Sequence, residues 1–568
     1  MSPTASIVIT LLAGMAVVVG AILILRLHAF LALLLGAMTV ALLTPKPSLE
    51  DYAVRNFHFA SVPEGAADAF SIAVKKKQQK PIENYDSLAV VHRDPETGFY
   101  VQTGTAQVTS TEVAGDQFQL QLIVIDGAAQ PGDLLIAKPE FKQAQSFARQ
   151  TLGARIAAAF GSTCGKIGIV IAMAAIIGRC LLESGAADRV VRSALKICGI
   201  EGAPVAFLFS GFLLAIPVFF DTVFYLMIPL GKAMRLRTGK HYLLYIMTII
   251  AGGTMAHSLI PPTPGPLVIA EILGISVGMM IMVGGLVGLC TAAAGYLYSI
   301  VLTRFVDVPL RETGDITNEE LQAISDRQDR DLPSLFWSLV PIVLPVLLIS
   351  IATIINLMVE ADSKWLESMA SVVGERNRSA IIHFLLTIGE KSITLIISAA
   401  IALAILARQN KASFSDLAGS IQIALASGGT IILITAAGGA FGQMLQQTGV
   451  ASLLGHASLI NPILTLLLAY GITVLIRTAQ GSSTVAMITA AGIMAGIDVP
   501  FHPVYLAVVI GCGSKSIMWM NDSGFWVVSR MSGLTEAEML KYIMPMTTFM
   551  GIVGALVAML GVMFFPMI

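Results

Sequence analysis

Charge is what this chain has little of. Only 12% of its 568 residues are Asp, Glu, Lys or Arg, and its mean hydropathy is +0.80. A soluble domain carries roughly 25% charge, so a water-facing surface along the whole chain is excluded. Cysteine is also scarce. Cys164, Cys180, Cys198, Cys290 and Cys512 all fall in or beside apolar segments, and none lies in the one large polar region. That excludes a disulfide framework and leaves scattered apolar thiols. With a net charge of −1 and no basic arm, nothing points to nucleic acid. No Lys or Arg precedes the first apolar run, which leads straight into a second. A retained helix is expected there rather than a cleaved signal peptide.

Long apolar runs are what the chain has instead. Several reach the roughly 18–20 residues that span a bilayer, so the chain reads as a multi-pass protein of the cell (inner) membrane with the lipid bilayer as its main partner. Spans are expected at Ile7–Leu25, Phe30–Leu43, Ile167–Leu182, Ile275–Leu302, Leu332–Met358, Ser392–Leu406, Ile421–Leu445 and Met544–Phe565. Between Leu49 and Gln150 the chain turns polar. Ser87–Arg93, Phe99–Thr105 and Gln117–Ile125 alternate or are β-branched between turn-forming residues, which predicts a small β-rich extramembrane insert. Lys75–Lys80 reads as a solvated linker.

Other apolar segments are interrupted. Pro261, Pro262, Pro264 and Pro266 with Gly265 unwind the segment Tyr242–Val283. Bare backbone at membrane depth is tolerated only where it lines a cavity or meets a ligand. Phe207–Leu230 is broken at Pro217 and Asp221, Ile460–Met494 at Arg477–Thr484, and the segment from Val504 at Asn521–Gly524. Gly178–Ala187 recurs as Gly442–Ala451, and each copy is followed by a broken hairpin and then a broken helix. The basic clusters Arg189–Lys196 and Lys232–Lys240 flank the first hairpin, whereas Arg408 and Lys411 precede the second half. Positive-inside counting therefore makes the halves antiparallel, with both termini and the insert outside. The predicted fold is an all-α polytopic membrane protein: an inverted repeat with two re-entrant hairpins and two broken helices, plus the insert. Paired discontinuous helices in inverted repeats are the usual substrate and ion sites of secondary transporters. The expected division is an N-terminal hairpin 1–48, the insert 49–150, a first repeat 151–303, a charged connecting region 304–413 and a second repeat 414–568.

Four pieces are expected to meet. Asp221 and Thr222 sit at the first hairpin tip; a carboxylate in an apolar run is a candidate coupling site, though Asp221 also suits a helix cap. His257, Ser258 and Thr263 flank the proline break, where a histidine can relay protons or donate to an anion. Gly481, Ser482, Ser483 and Thr484 open a half-helix whose N-terminus favours anions. Asn521 and Asp522 form the last break. Arg477 is expected at the surface rather than on an acid, and Lys515 is expected to pair with Asp522. Asp221 and His257 are the candidates for proton coupling; no metal or cofactor is implied, and no covalent chemistry.

The stretches His257–Pro266, Gly481–Ala486 and Asn521–Trp526 together resemble the gluconate permease (GntP) family of the wider ion transporter superfamily. The resemblance covers most of Ile156–Pro566. It implies uptake of a small organic anion (gluconate or a related sugar acid or hydroxy acid), commonly by proton symport, in a homodimer. The chain departs from the family's pattern at Asp221, Thr263 and Ser523, where Glu, His and Pro are frequent, and in carrying the 49–150 insert. The alternatives are a sodium-coupled carboxylate or amino-acid (D-serine-like) carrier and a transporter-like sensor. An intramembrane aspartyl enzyme built on Asp221 and Asp522 needs both carboxylates in close approach.

Overall fold

The apolar runs form helices in the computed structural model, which describes residues 3–25, 27–64, 69–75, 87–114, 117–218, 220–239, 241–311, 332–360, 375–449, 461–495, 497, 499–520 and 522–567. The chain divides into two compact units. One is drawn from Met1–Val18, Leu35–Ala158 and Gln443–His456, the other from Val19–Leu34, Ala159–Gly442 and Ala457–Ile568.

Chain order begins with α1 (Pro3–Leu23), α2 (Ala29–Leu43) and α3 (Lys46–Phe57), the last two meeting at a 99° bend. Strands β1 (Ala60–Ser61), β2 (Ala69–Lys75), β3 (Leu88–Arg93), β4 (Tyr100–Ala114), β5 (Gln117–Gly127) and β6 (Leu134–Ala137) follow, then α4 (Lys138–Ala148). The strands make one six-stranded sheet in the order β1-β6-β3-β4-β5-β2, antiparallel throughout. Leu88 and Val90 of β3 join Ile72, Leu120, Leu122 and Leu135 in a core on one face. Residues near both edge strands, Val62 and Ile72, share that core, so the sheet curls over it. Ala89 and Val91 point the other way and pack against Ala53 and Val54 of α3 and Phe141 and Ala144 of α4. A strand covered on both faces reads as a continuous apolar run rather than an alternation.

Two helices accompany the strands expected in 49–150. Polar composition conceals their helical spacing: Leu49, Ala53 and Val54 are buried on α3, and Phe141, Ala144 and Ala148 on α4. Each opens with proline in its first turn, where the missing amide hydrogen costs nothing. The Lys75–Lys80 linker lies outside the described residues apart from Lys75. Within this unit, Arg155 is buried and donates to Gln447 Oε1 (2.8 Å) and to the Ala41 carbonyl (2.9 Å).

The membrane helices are α5 (Leu152–Glu183), α6 (Ala186–Cys198), α7 (Ala203–Leu214), α8 (Phe220–Thr238), α9 (Tyr242–Leu259), α10 (Pro264–Ile272), α11 (Val277–Thr303), α12 (Leu335–Glu360), α13 (Glu375–Ile388), α14 (Lys391–Asn410) and α15 (Phe414–Gln447). Next come α16 (Pro462–Gln480), α17 (Ser483–Met494), α18 (Val504–Gly513), α19 (Ser523–Ser532), α20 (Glu536–Glu538) and, through a π-turn, α21 (Met544–Phe564). Among the described residues, seven helical segments are long and apolar enough to cross a membrane, or eight if the bent α2–α3 pair counts as one span. Exposed apolar side chains such as Leu286, Leu297, Leu475 and Phe564 line their outer faces, as lipid contact requires. The apolar window within Tyr242–Ile272 is 94% buried, which keeps the proline break away from lipid.

In the sheet-bearing unit, the Tyr100 hydroxyl donates to Asp51 Oδ1 (2.8 Å), and Glu50 Oε2 accepts from the Tyr100 amide (3.1 Å). Burial first, and then Asp51, push the Tyr100 hydroxyl's pKa well above the usual tyrosine value. The hydroxyl therefore stays protonated and able to donate through the ordinary tyrosine range near 10, and it loses its proton only as pH climbs toward the raised value. Tyr100→Phe is expected to cost about 1.5–3 kcal/mol, the worth of a hydrogen bond to a charged group. Hydrogen exchange of the β4 amides in the full chain reads this as faster exchange than in wild type.

Candidate functional site

Side chains next to three of the helix breaks bond the backbone freed there. Helix α9 stops at Ile260, whose backbone is extended, and α10 restarts behind Thr263 with Pro264 in its first turn. Thr263 is buried, and its hydroxyl donates to the Ile260 carbonyl at 2.7 Å. Ser258 is fully buried, and its Oγ has no hydrogen-bond partner among the described residues. His257, one residue earlier, is half-buried.

Between α16 and α17, Gly481 takes a left-handed conformation (φ 78°) that a side chain would strain. Ser482 then caps α17 by accepting from the Val485 amide (3.3 Å). Ser482, Ser483 and Thr484 are half-buried. Asp522 caps α19 by accepting from the Gly524 amide (2.9 Å). Asn521 and the side chain of Asp221 lie outside the described residues; the Asp221 backbone stands in the first turn of α8, and Thr222 is half-buried.

Two basic residues tie these breaks together, and both depart from expectation. Arg477 is not at the surface: its side chain is 1% exposed, and it donates to the Gly481 carbonyl and pairs with Asp522. The guanidinium fork serves two acceptors at once, and an apolar surround leaves an acid few other partners. Lys515 is displaced from the expected pairing because Arg477 holds that acid. Its Nζ instead donates to Ser483 Oγ (3.2 Å) and stands 5.8 Å from the centre of the Phe220 ring. It also acts electrostatically on His257. One ammonium thus lies beside Phe220 at the first hairpin tip and Ser483 of the second hairpin. A lone lysine in an apolar stretch was the available signal for this role, but distance along the chain gives no hint of which stretches it joins.

Close packing fixes the arrangement. A side chain at Gly511 of α18 would come within 2.8 Å of the Ser258 carbonyl and 2.7 Å of Leu259. A side chain at Gly265 of α10 would strike Met487 of α17. The Trp519 indole donates to the Thr478 carbonyl (3.0 Å), and Tyr470 and Ser516 share a hydrogen bond of 2.7 Å.

Helical spans, broken helices and a polar cluster at the breaks define a membrane transporter. The solved structure of the YdaH transporter of Alcanivorax borkumensis has a similar fold: it matches 84% of this chain and 94% of its own length with a TM-score of 0.52 at 15% identity. Residues 134–564 match the GntP family permeases. An uncharacterized permease of Haemophilus influenzae is 34% identical over 71% of this chain and 82% of its own, and a gluconate permease of Pseudomonas aeruginosa is 29% identical over 70% and 84%. An L-idonate transporter of Escherichia coli is 28% identical over 70% and 85%. This chain belongs to the GntP permease family and is a multi-pass protein of the cell (inner) membrane.

Removing the arginine leaves Asp522 as an uncompensated buried charge, a loss of about 3–5 kcal/mol. Arg477→Leu is therefore expected to lower the unfolding midpoint of the detergent-purified protein sharply. Arg477→Lys should recover only part of it, because an ammonium cannot present the fork that reaches both Gly481 and Asp522.

Proposed function

We propose that this chain is a secondary active symporter for gluconate or a related sugar acid or hydroxy acid, driven by protons. The observation that carries the reading is Lys515, a cation set beside Ser483 and the N-terminus of α17 and electrostatically linked to His257. An ammonium beside a half-helix N-terminus favours a carboxylate. The hydroxyls of Thr222, Ser258, Thr263, Ser482, Ser483 and Thr484, with His257, Gly481 and Asn521, supply donors and acceptors for a polyhydroxylated carbon chain. The unpaired Ser258 hydroxyl suits this use, since a buried polar group is normally satisfied by some partner. Asp522, already held by Arg477, shapes the site rather than meeting an anion directly. Relatives named for gluconate and L-idonate are transporters of polyhydroxylated monocarboxylates, which is the same chemistry.

In this reading 151–303 and 414–568 are inverted repeats, joined by 304–413 and accompanied by the N-terminal hairpin 1–48 and the insert 49–150. The hairpin α7–α8 enters from the cytoplasm and α16–α17 from the opposite side, which lets the two halves rock around a midplane site. Asp221 or His257 carries the coupling proton, because an ionisable group in the membrane interior that faces a cavity is suited to relay. The protein works as a homodimer.

Uptake of labelled gluconate into proteoliposomes tests this directly. Accumulation should follow an imposed inward proton gradient and vanish with uncoupler. Lys515→Gln should raise the apparent KM about tenfold to a hundredfold, the worth of a charge-assisted hydrogen bond. Accumulation under a sodium gradient alone would refute proton coupling. An unchanged KM in the Lys515 variant would refute the carboxylate assignment.

A further inference from the structure

A cavity of about 370 Å³ opens where α6 and the end of α8 meet, toward the opposite end of α8 from Thr222. Arg192 and Lys196 of α6 and Arg237 of α8 supply its charge, while Leu195, Leu230 and Met234 supply an apolar wall. Arg192 is steadied by Asp188 one turn earlier (3.0 Å), whereas Lys196 and Arg237 stand exposed. Beside the cavity, Ile197 and Leu236 are 80% and 63% exposed, an arrangement that water disfavours and hydrocarbon does not.

Helix α6 has 13 residues, about 20 Å at 1.5 Å per residue. That is too short for the roughly 30 Å of a bilayer's hydrocarbon. Its face of Ala187, Val190 and Val191 packs within the protein, and its outer face carries Arg192 and Lys196 beside the exposed Ile197, a mix of basic and apolar groups that suits the membrane interface. Its basic residues, with those that end α8, form the clusters that charge counting assigns to the cytoplasmic side. Basic pockets between membrane helices on that side suit anionic lipid headgroups.

We propose that this cavity binds the headgroup of an anionic phospholipid of the phosphatidylglycerol type. The phosphate sits among Lys196, Arg237 and Arg192, and the acyl chains run out past Leu195, Ile197 and Leu236. A free soluble anion would meet the same charges but leave the apolar wall and the exposed Ile197 and Leu236 wet. The lipid thereby pins α6, which precedes the first hairpin, to the end of α8, the second arm of that hairpin. The inference does not depend on which solute the protein carries.

Native mass spectrometry of the delipidated full-length protein tests it, with phosphatidylglycerol, phosphatidylcholine of the same chains, and glycerol 3-phosphate as probes. Phosphatidylglycerol is expected to be retained over phosphatidylcholine. The double variant Lys196→Gln/Arg237→Gln should bind it roughly thirtyfold more weakly, the scale set by two basic side chains at an anionic surface. Equal retention of both lipids by wild type overturns the proposal without reference to any variant. So does undiminished phosphatidylglycerol binding by the double variant, and so does glycerol 3-phosphate binding as tightly as the lipid.

Discussion

A peptide group in hydrocarbon has no water to turn to, so a helix that breaks inside a membrane must satisfy its loose ends with protein. The breaks in this chain meet that requirement in different ways. At Ile260–Thr263 the prolines remove donors outright, and the Thr263 hydroxyl answers the Ile260 carbonyl. At Gly481 the freed carbonyl is taken by Arg477, whose other arm holds Asp522. Ser482 and Asp522 each cap the half-helix that follows. The Arg477–Asp522 pair is thus shared between two breaks: the same guanidinium closes the end of α16 and fixes the cap of α19. A buried pair of this kind has a large desolvation cost, and what it secures is a defined geometry.

That geometry sets the place of a second cation. Because Arg477 commits Asp522, Lys515 is directed to Ser483 and lies beside Phe220. The small residues around it allow the approach: Gly511 lets α18 lie against the backbone of Ser258, and Gly265 lets α10 lie against Met487. A side chain at Gly511 would push α18 away from the Ser258 backbone, whereas one at Gly265 would displace the flexible end of Met487. The arrangement of charge, hydroxyls and half-helix ends follows from backbone packing first and side-chain chemistry second.

The sheet-bearing unit obeys other rules. Its core is assembled from strands that bury both faces, with α3 and α4 covering one of them. Its polar tie of Tyr100 to Asp51 and Glu50 joins a strand to a helix that precedes it by about fifty residues. Unlike the breaks, this network sits among residues whose surroundings include water and long charged side chains such as Arg55 and Arg93.

Composition was enough to read six of the eight expected spans, from Ile167–Leu182 onward, and the positions of the breaks, because proline, glycine and polar residues inside apolar runs carry their own local physics; Ile7–Leu25 and Phe30–Leu43 are not among the seven segments of the described residues that are long and apolar enough by themselves. Motif residues were enough to recognise the family. Helices α3 and α4 escaped that reading because their apolar stripes are narrow and diluted by charge, so only the sheet they cover reveals them. The fates of Arg477 and Lys515 were not legible either. Whether a basic side chain reaches the surface or an acid depends on which helix ends lie within its length, and Asp522 is 45 residues from Arg477 in the chain. Residue chemistry alone places the helix breaks and the residues that border them. Which of those residues meet depends on helix packing, because it joins segments such as those of Arg477 and Asp522 that lie far apart in the chain.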